Sequence, residues 1–80
     1  MSVKLTWRQG SSIYFQTCEQ DSRLTVAKYA DVDNGGWTYV AWMKVGKDLE
    51  RLNDPRNREV TVARAAAQAK FDSIQLQRAA

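Results

Sequence analysis

Four short segments of β-forming residues fill the first 45 positions, each set off by a polar turn, and one alanine-rich segment closes the chain. That order constrains the fold more than any motif. Strands joined by tight turns pair antiparallel with their neighbours, and a closing helix has only the sheet to pack on.

Val3, Leu5 and Trp7 alternate with Lys4, Thr6 and Arg8, the period of a strand with one buried face. Gln9 to Ser12 reads as a turn. Ile13, Phe15 and Thr17 then alternate with Tyr14, Gln16 and Cys18, which gives a second strand and an antiparallel hairpin. After the polar turn Glu19–Ser22, the stretch from Arg23 to Ala30 has spacing that also tolerates a short helix. Its β-branched Thr25 and Val26 and its hairpin-like flanks favour a strand. Asp-Asn-Gly-Gly near Gly36 supplies residues that accept positive φ, so the chain reverses there. Trp37 to Val45 is the longest strand and is apolar on both faces, as a central strand or a partner-facing one would be.

Residues 46–59 read as a charged connection, with Leu49 and Leu52 as anchors of a possible single helical turn and Pro55 as a breaker. Thr61 suits an N-cap for a helix over about 62–77, with Ala63, Ala67, Phe71 and Ile74 on its buried stripe. The expected fold is α+β: a four-stranded antiparallel β-meander with one C-terminal α-helix packed on one face, ββββα, as a single domain over residues 1–80. A lone helix covers only one face of such a sheet, so the other face is polar or meets something else.

With 80 residues the core is thin, and most large apolar side chains are committed to folding. The net charge of +3, with both signs interleaved, suits neither a dense polyanion-binding stripe nor a DNA mimic. One cysteine, Cys18, cannot form an intramolecular disulfide, and the absence of histidine removes the commonest general base and zinc ligand. Asp31 with Asp33, and Asp48 with Glu50, lie two apart but read as solvated turns, because a calcium loop needs more ligands at fixed offsets. No enzyme activity, metal or cofactor is therefore expected. No stretch reaches the ~20 apolar residues of a membrane span, and the N-terminus has no signal-like apolar core, so a cytoplasmic location is expected.

Gly35-Gly36-Trp37-Thr38-Tyr39-Val40-Ala41-Trp42 partly resembles the signature of RNA-recognition motifs, but that fold places a helix where this chain has a turn between its first two strands. Taken together, Val3-Lys4-Leu5-Thr6-Trp7, Gly36-Trp37-Thr38-Tyr39-Val40-Ala41-Trp42 and Val62-Ala63-Arg64-Ala65-Ala66-Ala67-Gln68-Ala69 resemble the sheet-plus-helix plan of small phage and prophage proteins, among them anti-CRISPR proteins. The resemblance implies a non-enzymatic protein that binds and inhibits a host protein or ribonucleoprotein complex by occlusion in the host cytoplasm. It carries over no functional residue.

The site residues expected from the pattern are Arg8, Tyr14, Trp42, Lys44 and Arg51, the aromatics as anchors and the cations for acidic or phosphate groups. If Val3, Leu5, Trp7, Ile13 and Phe15 face the helix, then Lys4, Thr6, Arg8, Tyr14 and Gln16 form the opposite face. Trp42 joins that face provided Tyr39 and Met43 pack under the helix. The alternative function is direct nucleic-acid binding by the same face. Self-association through an exposed strand edge is a further expectation.

Overall fold

A computed structural model describes residues 3–79. The strands are β1 (Trp7–Gln9), β2 (Phe15–Cys18), β3 (Leu24–Ala30), β4 (Trp37–Val45) and β5 (Asp48–Arg51), followed by helix α1 (Val60–Ala79). They form one antiparallel sheet in the order β1-β2-β3-β4-β5, with the helix against one face. The architecture is the expected α+β meander with one strand more.

The extra strand lies in the stretch read as a charged connection. Gly46, at φ 62°, and Lys47 form a two-residue turn that sets Val45 opposite Asp48. The four residues of β5 are all exposed, so the strand shows no apolar alternation, and Leu49 and Leu52 do not share a helical turn. Beyond β5 the chain keeps to the edge of β4 through side chains. Asn53 accepts from Ala41 N at 2.6 Å and donates to Tyr39 O at 2.9 Å, while Asn57 Nδ2 donates to the same carbonyl at 3.1 Å. Those amides stand where a longer strand would put backbone groups.

At the other end of β4, Asp31 N donates to Gly36 O at 2.9 Å, and Gly35 and Gly36 turn the chain at φ 76° and 77°. Arg58 crosses to this turn, pairing with Asp31 Oδ2 at 2.8 Å and donating to Gly35 O. The segment before the helix is thus tied both to the β3–β4 turn and to the edge of β4.

The helix starts at Val60, so Thr61 lies inside its first turn. Glu59 O accepts from Val62 N and Ala63 N and serves the entry instead. Ala63 and Ala67, both 0% exposed, let the axis approach the sheet, and Phe71 closes the end of the core. Under them lie Leu24, Val26, Ala41 and Met43, with Leu5 and Cys18 from the start of the chain. Residues 3–6 are not a strand, and Gln68 holds them instead: its Oε1 accepts from Leu5 N at 3.0 Å and its Nε2 donates to Val3 O at 2.7 Å. No helix among the described residues is long and apolar enough to cross a membrane.

Candidate functional site

The register separates the two faces of the sheet. Trp7, Cys18, Met43 and Glu50 run along the helix side, and so do Gln9, Gln16, Val26 and Ala41. Between these rows, on the side away from the helix, Arg8 pairs with Thr17, Thr17 with Thr25, Thr25 with Trp42 and Trp42 with Arg51. This one row crosses the whole sheet. At ~4.8 Å per strand it separates the two arginine backbones by about 19 Å.

Neighbouring rows of the open face carry Phe15, Ala27 and Val40, then Tyr29 and Thr38, and at the other end Lys44 and Leu49. Ala27 and Val40 are each 1% exposed although no helix lies over them. Trp42 Nε1 donates to the Tyr29 hydroxyl at 3.1 Å, and the Ala27–Val40 pair lies between those two residues in the register. The two long side chains therefore reach toward each other across the small pair and cover it. Phe15, beside Ala27, stays 49% exposed.

The charge on this face is of one sign. None of its strand residues is a carboxylate, and Arg8, Lys44 and Arg51 are exposed with no ion pair among the described residues. Arg23, whose carbonyl accepts from Lys44 N, is engaged by Asp21 through two contacts of 3.0 and 2.8 Å. The Arg23 side-chain hydrogen bond holds the Asp21 carboxyl below the usual aspartate range.

Of the expected site residues, Arg8, Trp42, Lys44 and Arg51 share the open face, and Tyr39 and Met43 pack on the helix side as Trp42's placement requires. Tyr14 does not join them. The parity assumed for β2 is off by one residue: Gln16 and Cys18 turn to the helix, and Phe15 and Thr17 turn away. Ile13 is 57% exposed, and Tyr14 packs on Trp37 with ring centroids 5.9 Å apart, on the helix side of the sheet. Phe15 and Tyr29 were missed. The buried Cys18 at the end of β2 was the available signal, since a cysteine fixed inward sends Phe15 outward by alternation.

Of the carboxylates weighed as loose cation ligands, Asp31 and Glu50 have protein partners. Asp31 accepts from Asn34 N and Arg58, and that Asn34 contact is the main cause of its lowered pKa. Glu50 accepts from Lys70 at 3.2 Å.

The chain is thus an α+β module whose helix covers one sheet face and leaves the other open. It matches no family model, no curated protein and no solved structure.

Proposed function

We propose that the open face binds nucleic acid, with Arg8, Lys44 and Arg51 taking phosphates and Trp42, Tyr29 and Phe15 offering surfaces to bases. The observation that carries this reading is the row from Arg8 through Trp42 to Arg51, cationic at both ends, aromatic within and with no carboxylate among its members. A polyanion neutralises such a face, and exposed rings suit bases, which all have π-faces. Titration of labelled single- and double-stranded oligonucleotides over a salt series tests it. Affinity is expected to fall linearly with salt on a log–log scale, and Arg51→Ala to reduce that slope by roughly 1. Absence of binding to both forms at low salt sinks the proposal.

A second reading has its own observation. Leu49 is 63% exposed, opposite Lys44 at one corner of the open face, and a nucleic acid backbone gives it nothing apolar to meet. A protein partner would bury it, as in the phage-type inhibitor that occludes a host protein or ribonucleoprotein complex, an anti-CRISPR protein being one form. That reading includes a location in the host cytoplasm. Capture from host lysate with and without nuclease separates the readings: a nuclease-resistant complex lost with Leu49→Asp favours the inhibitor, and a nuclease-sensitive one the nucleic-acid binder.

A further inference from the structure

A cleft of about 430 Å³ opens on the other side of the sheet, between the strands and the first turns of α1. Its floor is built from two adjacent cross-strand rows. One is Gln9–Gln16–Val26, and the other sets Lys28 between Tyr39, its partner in the register, and Tyr14, whose carbonyl accepts from Lys28 N at 2.9 Å. Val60 and Arg64 overhang from the helix.

Two features give the cleft its chemistry. It holds two cations, Lys28 and Arg64, and no lining residue is a carboxylate. Neither cation has an ion pair among the described residues. Arg64 donates to Gln16 Oε1 at 2.7 Å, but its buried Nε has no hydrogen-bond partner there, which is uncommon for a guanidinium donor out of water. Aromatic surface adjoins the cations: the Lys28 ammonium lies 4.6 Å from the centroid of a Trp37 ring, which in turn packs on Tyr14.

We infer that this cleft binds a small phosphorylated aromatic ligand of the nucleoside monophosphate class. Its phosphate lies between Lys28 and the guanidinium of Arg64, and its ring packs against Tyr14. The volume falls within the ~300–1,000 Å³ of ordinary small-molecule sites. A bare anion leaves the tyrosine walls unused, and an uncharged ring leaves both cations without a counter-charge. The inference does not rest on the open-face reading, because the two surfaces lie on opposite sides of the sheet.

Calorimetric titration with adenosine 5′-monophosphate, adenosine and inorganic phosphate tests it, with amide shift mapping on the unaltered protein. Saturable binding of the monophosphate is expected, with each half-molecule at least tenfold weaker and shifts centred on Tyr14, Lys28 and Arg64. Arg64→Gln should weaken binding tenfold or more, while Lys47→Ala, which removes one charge from the β4–β5 turn, should leave it unchanged. A 5′-phosphorylated oligonucleotide that competes identifies a strand end as the source of the ligand, and one that does not identifies the free nucleotide. Shifts centred on Thr25 and Trp42, equal loss with Lys47→Ala, or no saturable binding of the monophosphate overturns the inference.

Discussion

Single side chains hold this small sheet where backbone pairing ends. Asn53 supplies the acceptor for Ala41 N, so Asn53→Ala strands that donor on β4, while Tyr39 O keeps the Asn57 amide. That should cost about 1–3 kcal/mol in urea unfolding. Gly36 is constrained in two ways, by φ 77° and by the Arg58 guanidinium, 2.6 Å from where a Cβ would stand. Gly36→Ala should therefore destabilise by about 1 kcal/mol or more. Asp21 gives a pH dependence whose sign follows from its lowered pKa. The Asp21–Arg23 pair contributes stability above the unfolded-state value of about 4 and loses it as pH falls through the lower folded-state value. Arg23→Ala should thus lower the denaturation midpoint at neutral pH, and that difference should vanish in strong acid. A difference that persists there would show that the pair is not its source.

At the scale of elements, what could be read from the sequence followed the physical strength of each signal. β4 announces itself by β-branched and aromatic residues between turn signals and α1 by its alanine stripe, whereas β3 has a spacing that also tolerates a short helix and rests on Thr25, Val26 and its hairpin-like flanks. β5 gives no such sign, because an edge strand exposed along its whole length has no apolar period, and its register comes from a two-residue turn. The helix entry was read from Thr61 as a cap, whereas the carbonyl of Glu59, a group every residue has, accepts the first donors. The open face was legible on β1, where apolar residues fix the parity; on β4, apolar on both faces, it depended on Tyr39 and Met43 packing under the helix, and on β2 Ile13 and Phe15 suggested the wrong inward set. The alanine stripe carries its own prediction. Ala67→Leu, at 0% exposure against the sheet, should cost about 1–3 kcal/mol, whereas Ala65→Leu on the outer face should leave the unfolding midpoint nearly unchanged.

Across the whole molecule, alternation along β3 and β4 deals neighbouring residues to opposite surfaces: Lys28 and Tyr39 to the cleft, Tyr29 and Trp42 to the open face. The open face should therefore lose oligonucleotide binding in steps while the cleft keeps its own. Removing Arg8, Lys44 and Arg51 together should flatten the salt dependence by roughly 3, about 1 per cation, and a slope unchanged by all three would place the phosphates elsewhere. The same dealing-out applies to the chain's three indoles. Trp7 packs against the core, Trp37 touches Tyr14 and Lys28, which line the cleft, and Trp42 lies on the open face joined to Tyr29. Intrinsic emission is thus already partitioned by surface. In a Trp37→Phe chain, ligand-dependent quenching would report occupancy of the open face through Trp42, and in a Trp42→Phe chain it would report the cleft, with no dye attached to either.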